Sequence, residues 1–106
     1  MRWLAPEVLE GRMQHNSASR RAADIYAFAC AGYEIFSGKT PFFELSTDAA
    51  VVLAVVNRGI RPTRPPPFIC MRRKLDEDLW RLLRDCWSTL PLARPSAGEV
   101  VARLKS

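Results

Sequence analysis

Hydrophobic positions recur along this chain at helical spacing, broken by clusters of proline and glycine. The strongest pattern runs from Ala22 to Ser37, where small or apolar residues (Ala23, Ile25, Ala27, Phe28, Ala29, Cys30, Ala31, Ile35, Phe36) fall on nearly every side. A helix that is apolar all round is expected to be buried all round, and a chain this short is expected to lack the protein to surround it. Gly38 supplies a stop after it, and Pro41 prevents the helix from resuming. Upstream, Pro6 fits the first position of a short helix, where its missing N–H costs nothing, and Gly11 ends that helix. Residues Arg12 to Arg21 are polar and predict a loop.

Beyond the central pattern, Ser46 or Thr47 predicts an N-cap for a helix from Asp48 to Asn57, ended by Gly59. Pro62-Thr63-Arg64-Pro65-Pro66-Pro67 excludes helix and favours polyproline II. Asp76 predicts the cap of a further helix in which Leu79, Leu82, Leu83, Cys86 and Trp87 form one apolar stripe, with Pro91 as its end. Ser96-Ala97-Gly98-Glu99 spells a capping box, in which hydroxyl and carboxylate satisfy orphan N–H groups. Val100, Val101 and Leu104 are the expected inward face of that last helix. No segment alternates with the period of a strand. The fold class expected is all-α, four or five helices with irregular connections.

Composition narrows the function more than the fold. A chain of 106 residues holds one domain at most, or part of one. The net charge of +5 is spread over Arg20-Arg21, Arg58, Arg61, Arg64, Arg72-Arg73-Lys74, Arg81 and Arg84. With no interleaved aromatics and no recognition signature, nucleic acid is not the expected partner. Cys30, Cys70 and Cys86 form no CxxC pair, His15 stands alone, and no cluster has metal-ligand spacing. Buried, unpaired cysteines fit a reducing compartment, so a cytoplasmic location is expected. The longest apolar run, Ile25 to Phe36, contains Glu34 and is too short for a membrane span, so no membrane partner is expected.

Three motifs, in order, carry a resemblance: Ala5-Pro6-Glu7 after Arg2-Trp3-Leu4; Asp24-Ile25-Tyr26-Ala27-Phe28-Ala29; and Cys86-Trp87 followed by Pro91 and Arg94-Pro95-Ser96. Together with Gly38-Lys39-Thr40-Pro41-Phe42, the chain resembles the C-terminal half of the large lobe of a protein kinase domain, of the tyrosine-kinase-like and serine/threonine class. Residues 1–106 are then a partial kinase domain, the C-terminal helical subdomain of that fold, from the substrate loop to the last helix. The resemblance implies that Arg2, Trp3 and Leu4 form the loop beside the substrate residue that follows the phosphoacceptor. It implies that Glu7 pairs with Arg94 to tie the ends of the segment together, a pairing that a guanidinium fork and a carboxylate suit well. Ala5, Pro6, Asp24 and Trp87 are structural in the same picture. In the family the Asp24 carboxylate accepts backbone N–H bonds from the catalytic loop; a simpler reading places it in a first helical turn, complementing the macrodipole. Ala29 stands where the family usually has glycine, and Leu90 where it usually has aspartate.

The chain carries no Gly-rich phosphate loop, strand lysine, His-Arg-Asp loop or Asp-Phe-Gly motif. No catalytic, ATP-binding or metal-binding residue is therefore assigned, and the chain by itself is expected to be inactive. ATP and Mg²⁺ are implied for the full family domain, with phosphorylation of protein serine and threonine as its activity and tyrosine left open. The partners implied are the missing N-terminal part of the domain and, in that context, protein substrates. A piece of a longer kinase is the expectation; the alternative is a stand-alone, non-catalytic helical interaction module whose apolar central helix a partner covers. A narrower reading treats Pro62-Thr63-Arg64-Pro65, with Arg61 beside it, as an SH3 ligand; a proline-stiffened connector is preferred.

Overall fold

The computed structural model describes residues 2–105, in which helices are the only regular elements. The helices are α1 (Pro6–Leu9), α2 (Ser17–Ser37), α3 (Asp48–Arg58), α4 (Pro67–Arg72), α5 (Glu77–Cys86) and α6 (Ala97–Lys105), with a 3-10 turn at Pro91–Ala93 before α6. Helix α2 is the axis: α5, α4 and the 3-10 turn pack on it, α6 packs on α5, and α1 packs on α3.

The caps are those the residue types dictate. The Thr47 hydroxyl accepts from the Ala50 N–H at 3.1 Å and the Asp76 carboxylate from the Leu79 N–H at 2.8 Å. The Ser96 hydroxyl accepts from the Glu99 N–H while the Glu99 carboxylate accepts from the Ser96 N–H. The Ser96 backbone N–H, and after it the Ser96 side chain, hold the Glu99 carboxyl below the ordinary carboxylate range. Gly38 closes α2 in the left-handed region, at φ 73°.

The main core gathers Ile25, Tyr26, Ala29, Cys30 and Tyr33 of α2 against Leu82, Leu83 and Cys86 of α5, with Trp80, Trp87, Leu75 and Val100. Trp87 stands edge-on to Tyr33 (centroids 6.0 Å apart) and to Trp80 (5.7 Å), an arrangement that aromatic quadrupoles favour. A smaller cluster of Phe42, Val51 and Val55 sits under α3.

The structure corrects the sequence reading in several places. Helix α2 starts at Ser17, five residues before Ala22, because the Asn16 side chain accepts from the Ser19 N–H and caps a polar first turn. Helix α2 is not covered on all sides, which agrees with the sequence reading that so short a chain lacks the protein to surround it. The molecule is only 17 Å thick, less than two helix diameters of about 10–12 Å, and Phe28 and Ile35 are 51 % and 68 % exposed. A short helix, α4, begins inside the proline run: Pro67 occupies its first turn, where a missing N–H is harmless. Pro62 and Pro65, by contrast, turn inward and are buried, and Arg61 donates to the Trp87 carbonyl, which agrees with the proline-stiffened connector preferred over an SH3 ligand. The last helix turns only Val100 fully inward among its described residues; Val101 and Leu104 are about half exposed, since α6 rests chiefly on α5. With α4 and the 3-10 turn, the described helices outnumber the four or five expected.

Candidate functional site

Ala5 is extended (φ −66°, ψ 154°), and Pro6, whose φ is preset for helix entry, starts α1. That turn aims the Glu7 side chain into the protein, where 4 % of it remains exposed. Arg94, extended just after the 3-10 turn and 6 % exposed, meets it. Its Nη1 donates to Glu7 Oε2 at 2.7 Å and its Nη2 to Oε1 at 2.8 Å, a parallel two-bond contact. The same guanidinium donates to the carbonyls of Ala22 (2.9 Å) and Ser88 (3.0 Å), so one side chain joins α1, α2 and the end of α5. It also lies 5.1 Å over the Tyr26 ring. Burial by itself raises the Glu7 carboxyl, but the Arg94 hydrogen bonds and charge, with a backbone N–H, outweigh it and leave the group below its ordinary range.

The segment before α1 is held from the other side. The Arg2 guanidinium donates to the carbonyls of Pro41 (3.1 Å), Phe42 (2.6 Å) and Leu45 (2.7 Å). Phe42 adopts φ 58°, an uncommon value for a bulky residue, with its ring buried at 3 % exposure. Arg2 thus gathers three carbonyls around a strained turn. The Trp3 indole donates to Glu34 Oε1 at 3.0 Å. Trp3 and Leu4 remain 45 % and 39 % exposed.

Asp24 is the eighth residue of α2, not in its first turn, which rules out the macrodipole reading. It is exposed, and its carboxylate has no hydrogen-bond or ion-pair partner among the described residues. It borders a hollow of about 440 Å³ with Arg21, Leu92 and Arg94. Arg21, Asp24, Phe28, Ala31 and Ile35 are all exposed and recur at spacings of three and four, one stripe along α2. Trp87 is fully enclosed and belongs to the core. Its indole N–H and the Tyr26 hydroxyl are buried without a hydrogen-bond partner. Among the described residues no three His, Cys, Asp or Glu side chains stand together as metal ligands would.

A family model described as "Protein tyrosine and serine/threonine kinase" matches residues 1–104. The chain belongs to the protein kinase family. Among curated relatives it is 33 % identical over 103 residues to the serine/threonine-protein kinase STY17 of Arabidopsis thaliana, covering 97 % of this chain and 16 % of that one. It is 33 % identical over 104 residues to the probable serine/threonine-protein kinase drkC of Dictyostelium discoideum, covering 98 % of this chain and 12 % of that one. It is also 33 % identical over 100 residues to the putative inactive tyrosine-protein kinase Wsck of Drosophila melanogaster, covering 93 % of this chain and 11 % of that one. The chain is thus a kinase-domain fragment by comparison, spanning a small part of the length of the kinases it matches, and among its described residues no helix is long and apolar enough to cross a membrane.

Of the residues expected to matter in this kinase fragment, Glu7 and Arg94 meet directly, while Arg2 and Trp3 each bond elsewhere. Asp24 bonds to neither set, although it shares a hollow with Arg94. Two further side chains hold the frame and had no local signal. Arg61 donates to the Trp87 carbonyl (2.5 Å) and to the Thr89 hydroxyl (2.8 Å), closing the end of α5. Arg73 donates to the Ile35 carbonyl at 3.1 Å, closing the end of α2. Both act across more than 25 positions, so only the folded chain reveals them. Trp80 did have a signal: with Leu83 and Trp87 it forms a second stripe at spacings of three and four.

Proposed function

We propose that this chain is the C-terminal helical part of a protein kinase catalytic domain, working with an N-terminal part that carries the ATP and Mg²⁺ site. The domain as a whole would phosphorylate serine or threonine in cytoplasmic proteins, with tyrosine not excluded by any residue here. The observation that carries this reading is the exposed stripe of α2. A long central helix whose inner face is core and whose outer face is Asp24, Phe28, Ala31 and Ile35 offers a seat for more of the same domain. Asp24, charged and without a partner, is suited to accept N–H bonds from a loop laid across it. The Arg2–Leu4 segment would form one wall of the substrate groove. Because the Arg2 guanidinium is engaged by three carbonyls and the Trp3 indole N–H by Glu34, Leu4 and the exposed part of the Trp3 ring are what is left to meet a substrate.

Co-expression tests it. The 106-residue chain should show no phosphotransfer alone and should co-purify with the N-terminal part of a related catalytic domain. Phe28→Asp with Ile35→Asp should abolish that association while leaving the helical spectrum intact. Failure to associate, or association untouched by the stripe variant, would count against the proposal. The second reading, a non-catalytic interaction module, draws on the same stripe and on the absence of phosphate-binding motifs from this sequence. Capture of a protein unrelated to kinases by the stripe would favour it.

A further inference from the structure

The segment that would wall the substrate groove is tied down at three points. Arg2 is held by the Pro41, Phe42 and Leu45 carbonyls and Glu7 by Arg94, so the chain from Arg2 to Glu7 is fastened at both ends. The third tie is the Trp3 indole N–H, which donates to Glu34 Oε1 at 3.0 Å, 31 positions away on α2. Between two fixed ends this bond has little backbone left to restrain. What it fixes is the rotation of one ring: Trp3 is 45 % exposed, and without the bond its side chain could turn to other rotamers.

Folding alone gives Glu34 a poor place. It stands in the last turn of α2, which holds no basic residue, and a carboxylate there meets the negative end of the helix dipole. No cation pairs with it among the described residues, and the Trp3 indole is the one group its side chain bonds there. An ionised acceptor makes that bond stronger than a neutral one would be. A bulky ring fixed before its partner arrives also spares the cost of ordering it on binding.

We propose that Glu34 is a positioning residue for the protein substrate: through the indole N–H it holds the Trp3 ring as a fixed wall of the groove. This deepens the kinase reading and rests on it. The effect belongs in the KM for the protein substrate and in neither phosphoryl transfer nor nucleotide binding, whose motifs this sequence does not carry. The test uses the natural full-length polypeptide and the peptide it phosphorylates best from a degenerate serine, threonine and tyrosine library. Glu34→Ala should raise the KM for that peptide about tenfold, the low end for one hydrogen bond to a charged group. The kcat and the KM for ATP should not change. Glu34→Gln keeps a carbonyl acceptor for the indole and should restore most of the affinity. Trp3→Phe removes the donor, so in that background Glu34→Ala should add nothing. Should Glu34→Ala not fold, Trp3→Phe breaks the same bond and should raise the peptide KM with kcat unchanged. An unaltered polypeptide that phosphorylates no library peptide would overturn the kinase reading and this inference with it. With that activity present, four results overturn the inference alone: an unchanged peptide KM, a fall in kcat in its place, a Glu34→Gln variant as impaired as Glu34→Ala, or an undiminished Glu34→Ala effect beside Trp3→Phe.

Discussion

Glu7 and Arg94, 87 positions apart, face each other through two parallel hydrogen bonds of 2.7 and 2.8 Å with almost no water access. Removing one partner of such a pair strands a buried charge and is expected to cost about 3–5 kcal/mol. Arg94→Ala should cost toward the upper end, since the Ala22 and Ser88 carbonyls lose their donor as well. Glu7→Gln combined with Arg94→Met should be less destabilising than the sum of the single changes, because neither charge is then left alone. Urea unfolding midpoints decide this. A loss below about 1 kcal/mol for Arg94→Ala would class the pair with exposed ion pairs.

The same pair gives stability a direction in pH. The folded Glu7 carboxyl lies below its ordinary value of 4.5, because the Arg94 bonds outweigh the effect of burial. A lowered folded pKa contributes stability that is fully present above the unfolded value and lost as pH falls through the folded one. Stability should therefore fall below pH 4.5, and the slope should be shallower in Glu7→Gln. An unchanged slope in that variant would assign the acid sensitivity to other carboxylates.

Gly38 is constrained twice. Its φ of 73° strains any side chain, and a Cβ there would lie 2.8 Å from Nη2 of Arg73. Gly38→Ala should cost about 1–2 kcal/mol from backbone conformation alone, and more because Arg73 must shift from the Ile35 carbonyl. In an Arg73→Ala background the cost of Gly38→Ala should shrink. Thermal melts of the four variants measure the coupling, and strict additivity would contradict it.

Much of the frame was legible because its signals are local. Thr47, Asp76 and the Ser96–Glu99 box announce their helix starts by residue type and spacing, and Gly38 announces a stop. What escaped depends on distance or on thickness. That α2 would lack cover followed from the length of the chain, but which of its residues stay exposed, Phe28 and Ile35, periodicity did not say. Helix α4 hid behind three prolines because Pro67 is harmless in a first turn and disruptive after it. Of the candidate site, Glu7 and Arg94 were named through the resemblance and not through anything within three or four residues of either. The Arg2 contacts with the Pro41–Leu45 turn carried no sequence signal at all.

Burial pushes the Cys30 thiol up to about 12 and the Cys86 thiol up to about 11. Both should stay protonated at neutral pH and resist alkylation while the chain is folded. The rate of iodoacetamide labelling at these two positions should track the fraction unfolded in urea, read by peptide mass spectrometry. Fast labelling in the absence of denaturant would show that the core between α2 and α5 opens locally.

The Arg2 contacts predict coupled motion. Arg2→Ala removes three charge-assisted bonds, with a stability loss of about 1.5–3 kcal/mol. Amide hydrogen exchange should accelerate together at Trp3–Ala5 and Phe42–Leu45, while α6 is unaffected. Acceleration confined to the residues next to position 2 would mean that the Phe42 turn holds its own shape.

The central claim, that this chain completes a larger catalytic domain, is tested most directly by the intact mass of the natural polypeptide that contains the Ala97–Lys105 segment, isolated from source cells. The account predicts a product several times heavier than 12.0 kDa, with phosphate-binding motifs upstream of Arg2. A product of 12.0 kDa would contradict it and turn attention to whatever protein covers the outer stripe of α2.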